Sequence, residues 1–239
     1  MKLKFIQKII DRLRGKKQNN GISDEVLKNN SIRIDKKNYK NICLNITGKN
    51  NTIILEENEL PENAVIHIIL FGDNNTVEIK KNIQISSNIT MEIGRNHPAF
   101  GKVENCSVVI GENTSAESCL ITVLNSGVYT EIGSDCMLAN NINIYNTDSH
   151  PILDMATNKI INRVKGIKIG NHCWIGRNAT ILKNTEIADN CIVGWGAVVS
   201  GKHTEANCAI AGNPAKTVKE GIIWQRWHKD YISQTGENE

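Results

Sequence analysis

The sequence predicts an all-β solenoid, a chain wound into many short parallel strands, and three observations lead to this fold class. Two segments are visibly alike, NITGKNNTIILEEN at 45–58 and ILFGDNNTVEIKKN at 69–82. Aromatic residues make up only 5 % of the 239 residues, which favours short strands and tight corners over a globular aromatic core. An aliphatic residue then recurs every sixth position without a slip, at Ile169, Ile175, Ile181, Ile187, Val193 and Val199.

The six-residue period indicates a triangular coil. Each hexad supplies one strand and one corner, so three hexads complete a turn of about 18 residues. The aliphatic residue fills the interior, and a Gly or small residue permits the corner. We therefore expect Ile169 to stack over Ile187, and Cys173 over Cys191, at the strand spacing of about 4.8 Å. The position four residues after each aliphatic one has room only for a small side chain, and it holds Cys173, Ala179, Thr185, Cys191 and Ala197, then His203.

The seven cysteines fit this coil as small buried hydrophobes rather than as reactive thiols. They form no CxxC pair, so the sequence predicts no metal site and no thioredoxin-like motif. An odd number also argues against a secreted disulfide scaffold. The cysteines are Cys43, Cys106, Cys119, Cys136, Cys173, Cys191 and Cys208.

Three segments are expected to depart from the coil, which itself should cover residues 36–218. Residues 1–35 should hold an amphipathic helix at 3–14 and then a polar linker. The helix is expected to pack on its own oligomer, and the alternative is peripheral contact with an anionic membrane. Residues 150–166, HPILDMATNKIINRVKG, do not fit the period and should leave the coil as a loop. Residues 219–239 should form a helix and tail, with Trp224, Trp227 and Tyr231 covering the open end of the core.

Charge and composition exclude some partners and compartments. The net charge of +3, from 28 basic and 25 acidic residues, is too small to indicate a nucleic-acid partner. The basic N-terminal stretch lacks the apolar region of a signal peptide, and no run of 18 apolar residues follows. We therefore expect a cytoplasmic protein.

Among the six histidines, His150 differs because it stands where the loop leaves the coil. A neutral imidazole, with a pKa of about 6.5 in model compounds, is suited to take a proton from an attacking hydroxyl. On the residues alone, a structural role and a catalytic role for His150 both stay open. Asp148 lies two residues earlier, where it could orient the imidazole or simply occupy a solvated corner. The others, expected to be structural or solvated, are His67, His97, His172, His203 and His228.

Four stretches in this order resemble the hexapeptide-repeat acyltransferases, and within them the sugar and xenobiotic O-acetyltransferases. They are TDSHPI at 147–152, IKIGNHCWIGRNATIL at 167–182, IVGWGAVVSGK at 192–202 and AGNPAK at 211–216. The GKNNT and GDNNT coils, and VKEGIIWQR after AGNPAK, look most like the polysialic acid O-acetyltransferases of capsulated bacteria. The resemblance implies a left-handed β-helix, a homotrimer with each active site between two subunits, and acetyl transfer from acetyl-CoA to a hydroxyl of a surface glycan such as sialic acid.

The same resemblance implies roles for individual residues. His150 becomes the catalytic base, and the indole N–H of Trp174 faces the thioester, where it would hydrogen-bond the departing thiolate or the oxyanion. The alternative is that Trp174 only walls the pantetheine groove. Trp195 stands where the family has a small residue, so its ring must point outward. The residues implied in acetyl-CoA binding are Arg177, Lys202, Lys216 and Lys219 for the phosphates, and Trp195, Ser200 and Gly201 through their backbones.

Other functions stay open at this stage. The acceptor could be another capsule or lipopolysaccharide sugar, serine or an antibiotic, and a non-catalytic trimeric scaffold is the weakest alternative. A γ-class carbonic anhydrase would need two histidines five residues apart, and no pair here has that spacing. No residue near His150 is an obvious nucleophile to carry an acyl group, because Cys173 and Cys191 are expected to point into the core, so we expect direct transfer in a ternary complex.

Overall fold

The computed structural model describes residues 23–97, 100–227 and 231. The amphipathic helix expected at residues 3–14 lies outside the described residues. A short helix, α1 (Asp24–Asn29), opens the described chain, with the Ser23 side chain accepting a hydrogen bond from the N–H of Val26. A 3₁₀ turn (Lys36–Asn41) follows one strand later. No helix in the described part of the chain is long and apolar enough to cross a membrane.

The described chain winds into a parallel β-helix with three faces. The first face is a sheet of eight parallel strands. They are β1 (Ser31–Ile34), β3 (Thr52–Leu55), β5 (Thr76–Ile79), β8 (Ser107–Ile110), β10 (Tyr129–Ile132), β13 (Gly166–Ile169), β16 (Glu186–Ile187) and β19 (Lys202–His203).

The other two faces belong to one sheet of thirteen strands that bends around an edge, because two long strands run through the bend: β6 (Gln84–Ile93) and β9 (Ser115–Val123). The second face continues with β11 (Met137–Leu138), β14 (Trp174–Ile175), β17 (Ile192–Val193), β20 (Ala209–Gly212) and an antiparallel last strand, β21 (Ala215–Lys219). The third face comprises β2 (Ile42–Thr47), β4 (Val65–Asp73), β12 (Ile142–Asn146), β15 (Thr180–Leu182) and β18 (Val198–Val199), and β7 (Val103–Glu104) pairs with the end of β4.

The core is the column of aliphatic side chains inside this coil. All six residues of the uninterrupted hexad run are at most 1 % exposed, and the small residues from Cys173 to Ala197 are equally buried. Ile169 pairs with Ile187, and the strand after Cys173 pairs with the strand after Cys191, as the period predicts. Thr52 likewise pairs with Thr76, 24 positions later. His203 departs from the expectation: it pairs with Ile187 instead of joining the small-residue column, because the last turn is shorter.

Asparagine, rather than glycine, turns most corners. Most non-glycine residues with positive φ are Asn, whose short polar side chain tolerates the left-handed region. The glycines after Ile110, Ile132 and Ile169 serve a different need, since a Cβ on Gly133 would lie 2.5 Å from the carbonyl oxygen of Gly170 in the next coil. The corner residues define three edges. The first edge, between the first and second faces, has Asn113, Asp135, His172, Asn190 and Asn207. The second edge, between the second and third faces, has Asn141, Asn178 and Gly196, and the third edge, between the third and first faces, has Ser149, Asn184 and Gly201.

Two segments leave the coil at the third edge, between the third and first faces. Residues 147–165 separate β12 from β13, and their only bridge within the described chain joins Leu153 to Ile160 in antiparallel fashion. This is the ejected loop predicted from the sequence. A second excursion, described at 94–97 and 100–102, follows β6 on the same edge and has no counterpart in the sequence analysis.

Both ends of the coil differ from the prediction. The strand β1 falls inside the segment expected to be a linker, so the coil begins at Ser31 rather than at 36. At the other end, residues 215–219 form β21, and residues 220–227 run without regular structure where a helix was expected. Trp224 is buried against the first edge, whereas Trp227 and Tyr231 are more than four-fifths exposed. The predicted aromatic cap on the core is therefore wrong.

Candidate active site

His150 lies on the third edge, at the foot of the ejected loop. Strand β12 ends at Asn146, and the chain then turns through Ser149, whose φ is +63° and whose N–H donates to Oγ1 of Thr147 (2.9 Å). The imidazole is exposed, and no described residue hydrogen-bonds its ring. Its ring neighbour is Phe100, whose centroid is 6.2 Å away on the second excursion. The structure thus presents an accessible imidazole between two excursions of the coil.

The backbone around His150 is held by Asn162, from the returning half of the loop. Its Nδ2 donates to Oδ2 of Asp148 (2.6 Å) and to the carbonyl oxygen of His150 (2.9 Å), and its Oδ1 accepts from the N–H of Ile152 (2.8 Å). Asp148 is also paired with Lys183 of the next coil (3.2 Å). Its carboxylate therefore anchors the loop and does not reach the imidazole, which leaves an orienting role for Asp148 without a contact in this chain.

Trp174 lies on the second face, on the other side of the coil from His150. Its strand β14 pairs with Met137 on one side and Ile192 on the other, and the outward-facing ring is 37 % exposed. In a three-faced coil, the edge between the third and first faces is opposite the second face. His150 and Trp174 of one chain are therefore separated by the core itself.

The residues expected to bind acetyl-CoA divide in the same way. Ser200, Gly201 and Lys202 lie on the third edge, two coils beyond His150. The others belong to the second face and second edge: Arg177, Trp195, Lys216 and Lys219. The Trp195 ring is 70 % exposed, so it points outward, and the Arg177 guanidinium lies 5.2 Å from its centroid.

The cations differ in how free they are to bind phosphate. Lys202 is 2.8 Å from Glu186, and that hydrogen bond lowers the pKa of the Glu186 carboxyl. Arg177 lies 3.6 Å from Glu117. Among the described residues, Lys216 and Lys219 have no acidic partner, and both are exposed on β21. These two lysines are therefore the best placed to meet a phosphate.

A groove of about 580 Å³ crosses the second face beside Trp174. Apolar groups contribute most of its wall, and its lining includes Ile85, Ala116, Met137, Leu138 and Trp174. Such a concave, largely apolar surface can accept either a ligand or a segment of another chain. No cluster of His, Cys, Asp or Glu within the described ranges is arranged to hold a metal ion.

Four residues at the site were missed by the sequence analysis. Lys183 could have been found from the period, since it belongs to the coil that follows Asp148 at the same edge. Asn162 and Phe100 lie on excursions, where the period gives no register. Trp224 approaches Trp174 to 6.1 Å between ring centroids, from a segment that was assigned to a helix. No local signal in the sequence indicates these last three contacts.

Comparison with known proteins agrees with this architecture. Residues 166–201 match the family described as bacterial transferase hexapeptide (six repeats). The chain is 42 % identical over 192 residues to the polysialic acid O-acetyltransferase of Neisseria meningitidis, an alignment covering 75 % of this chain and 87 % of that protein. It is 35 % identical over 153 residues to the polysialic acid O-acetyltransferase of Escherichia coli O1:K1, covering 64 % and 46 %.

Two solved structures have a similar fold. The polysialic acid O-acetyltransferase OatWY superposes with a TM-score of 0.64 at 31 % identity, over 86 % of this chain and 93 % of that chain. The polySia-specific acetyltransferase NeuO gives a TM-score of 0.59 at 25 % identity, over 82 % and 87 %. The likeness confirms the predicted fold, a left-handed parallel β-helix.

Proposed function

The chain belongs to the hexapeptide-repeat acyltransferases, and from this premise we propose that it moves an acetyl group from acetyl-CoA to a hydroxyl of a sialic-acid-containing bacterial glycan. The observation that carries the proposal is the exposed His150 imidazole at the foot of the loop. This ring faces solvent and lies at the foot of residues 147–165, a loop long enough to shape a substrate site.

His150 would act as the general base. One ring nitrogen takes the proton of the acceptor hydroxyl as its oxygen attacks the thioester carbonyl carbon, and the C–S bond then breaks. The imidazolium returns its proton to the departing CoA thiolate, so the residue ends the cycle as it began. The hydrogen bonds from Asn162 hold the loop backbone that carries this ring, which limits the loss of orientation between turnovers.

Trp174 would serve the same reaction from a second copy of the chain. Its indole N–H can donate to the oxyanion or to the departing sulfur, and a donor aimed at developing charge lowers the barrier. Because His150 and Trp174 lie on opposite sides of one coil, a site containing both needs two subunits. A closed cyclic trimer supplies three equivalent contacts of this kind, each between the third edge of one subunit and the second face of the next.

The surface of the ejected loop supports such a contact. Five large apolar side chains are exposed there, on a loop beside a catalytic candidate: Ile152, Leu153, Met155, Ile160 and Ile161. A cluster of large apolar side chains exposed to solvent usually marks an interaction surface. The apolar groove on the second face of a neighbouring subunit would cover it, and the same contact would bring His150 towards that neighbour's Trp174.

The residues present fit acetyl-CoA. Bound acetyl-CoA supplies the activated acetyl group. The exposed Trp195 and Trp174 rings offer apolar surface for a pantetheine chain, and Lys216 and Lys219 offer positive charge for phosphates. The phosphates would then lie at the C-terminal end of the coil, and the thioester would lie near Trp174. Ser200 and Gly201 would contribute backbone groups from the third edge of the adjoining subunit.

The acceptor is proposed from the relatives, since both of the polysialic acid enzymes named above are O-acetyltransferases. A second acceptor class is favoured by one observation: the chain is also 31 % identical over 163 residues to a putative lipopolysaccharide biosynthesis O-acetyltransferase of Escherichia coli K12, covering 66 % of each chain.

The test is thiol release from acetyl-CoA in the presence of polysialic acid, short sialylated glycans, neutral oligosaccharides, serine and chloramphenicol. We expect release with the sialylated acceptors and its loss in His150→Ala. Release with a neutral sugar only would redirect the proposal to the second acceptor class. A chain that releases thiol with none of these acceptors would contradict the enzymatic role and favour a scaffold.

A further inference from the structure

The C-terminal segment, residues 220–227, forms a strap along the first edge of the coil. It runs back over coils that lie far away in sequence: the N–H of Ile222 donates to the carbonyl oxygen of Asn207 (2.9 Å), and the indole N–H of Trp224 donates to that of His172 (2.8 Å). Further along, the Arg226 guanidinium donates to the carbonyl oxygens of Asp135 (3.2 Å) and Cys136 (2.8 Å). The strap therefore ties several corners together.

Arg226 anchors the far end of this strap. Besides those carbonyl groups, it reaches Oδ1 of Asp135 (3.2 Å), Oγ of Ser115 and the carbonyl oxygen of Asn113 (3.3 Å). Hydrogen bonds from a charged guanidinium are stronger than neutral ones, and the planar fork allows several at once. These several hydrogen bonds fix the position of Arg226, and they therefore also restrain the residues just before it in the strap.

Trp224 is the side chain that this anchoring places. It is 6 % exposed, and its ring stacks on the His172 imidazole with centroids 4.3 Å apart and planes at 11°. The imidazole is itself fixed, since Nδ1 lies 2.7 Å from Oδ2 of Asp135 and Nε2 lies 3.1 Å from the carbonyl oxygen of Trp224. The result is a rigid aromatic wall at the margin of the second face.

That wall stands beside Trp174. The two indole rings lie 6.1 Å apart at 47°, a distance and tilt at which aromatic rings attract. Met137 and Ile192 flank Trp174 along the sheet, and Trp224 closes the side towards the first edge. A tryptophan has two side-chain torsions and few staggered rotamers, so a wall on one side removes those that point that way.

We infer that Trp224, held by His172 and Arg226, is a positioning residue that sets the orientation of the Trp174 indole. The inference rests on the proposed function, in which the Trp174 N–H must face the thioester. Trp224 itself touches no reacting atom in this scheme. If the strap only stabilised the coil, replacing Trp224 would lower the melting temperature without changing turnover per folded molecule.

The first test measures the motion of the indole and needs no substrate. Replacing Trp195 and Trp227 by Phe, together with Trp224→Phe or Trp224→Leu, leaves Trp174 as the only tryptophan. Phe keeps a ring on His172, whereas Leu removes the aromatic wall. We expect the nanosecond anisotropy decay to show a larger internal rotation of Trp174 in the Leu chain than in the Phe chain. Equal amplitudes would overturn the inference, whether or not the protein transfers acetyl groups.

The second test is a double-mutant cycle on activity in the otherwise natural chain. Trp224→Leu should lower kcat by about 10-fold with little change in KM for acetyl-CoA, and the further loss should largely vanish in a Trp174→Phe background. Trp224→Phe should retain most of kcat. Trp227→Leu is the matched control, because Trp227 is 82 % exposed three residues along the same strap.

Each outcome of the cycle separates the positioning role from the proposed function. Equal losses in both backgrounds, or a lower melting temperature at unchanged kcat, would refute positioning through Trp174. A normal kcat in Trp174→Phe alone would remove the donor role from the proposed function, while the anisotropy result still decides whether the wall orients the ring. If Trp224→Leu fails to fold, Arg226→Gln loosens the anchor and takes its place. It is combined with Trp224→Phe in the anisotropy test, so that Trp174 stays the only tryptophan, and it is made in the otherwise natural chain in the activity cycle.

Discussion

Pairing of two inactive variants tests the composite site most directly. One chain carries His150→Ala and the other carries Trp174→Ala, each with its own affinity tag, and both are produced in one cell. Removing the base should cost roughly 10²–10⁴-fold in kcat, and removing the indole donor on the order of 10²-fold, so each variant alone is nearly silent. Two-step affinity purification then retains only trimers that contain both kinds of chain.

The expected recovery follows from the geometry of the coil. Each site takes His150 from the third edge of one subunit and Trp174 from the second face of the next. Going round a mixed ring of three, one contact joins an intact His150 to an intact Trp174, whichever variant is present twice. Mixed trimers should therefore show about one third of the wild-type kcat per trimer.

The assay is thiol release from acetyl-CoA with the best acceptor, at equal trimer concentration. The control is a trimer purified through the same two tags in which every chain carries His150→Ala, and it should stay silent. Mixed trimers no more active than this control would refute the composite site, because residues acting within one subunit cannot complement each other. Sedimentation of the wild-type chain as a monomer would refute it too.

Three further predictions follow from individual contacts. Asn162→Ala removes the hydrogen bonds that hold the loop at His150, so kcat should fall by about 10-fold with KM for acetyl-CoA unchanged. Lys159→Ala, at an exposed loop position outside the apolar patch, is the control, and equal effects of the two would contradict the anchoring role. Lys216→Glu and Lys219→Glu should each raise KM for acetyl-CoA by about 5-fold at nearly constant kcat, because a distant phosphate is bound equally in ground and transition states. Equal KM values of the wild-type chain for acetyl-CoA and for its form lacking the 3′-phosphate would count against this placement. Burial raises the pKa of the Cys119 thiol to about 12 and also raises the pKa of Cys191. A thiol-reactive disulfide at mild pH should therefore modify at most Cys43 in the native protein, and all seven thiols after unfolding. Rapid modification of several thiols in the native protein would contradict the packing.

The regular part of the fold was predictable because the coil repeats one environment. Ile169, Ile175 and their successors each fill the same interior position, so the spacing of aliphatic residues alone places them inside. The loop after Ser149 was predictable for the opposite reason, since its sequence breaks the period. The corners were less well predicted: Gly133 is needed for close approach of the next coil, and Asn takes most of the left-handed positions.

The two ends were harder because they lie outside the repeat. Residues 219–227 carry aromatic and aliphatic side chains that also fit an amphipathic helix, and the pattern alone cannot distinguish a helix from a strap. The strap prevails because it satisfies the backbone groups of Asn207, His172 and Asp135 on the first edge. Those partners are up to about 90 residues away along the chain, where no local propensity reports them.

The sequence by itself determined the arrangement along the axis of the coil: which side chains face the core, which coil follows which, and where the loop departs. A six-residue period suffices for that, because residues one turn apart must stack. Only the tertiary structure decided which residues meet around and across the coil. It placed His150 and Trp174 on opposite sides, brought Asn162 to the His150 backbone, and laid Trp224 beside Trp174. These contacts depend on how excursions and ends fold back over the faces, and a repeat carries no information about segments that leave it.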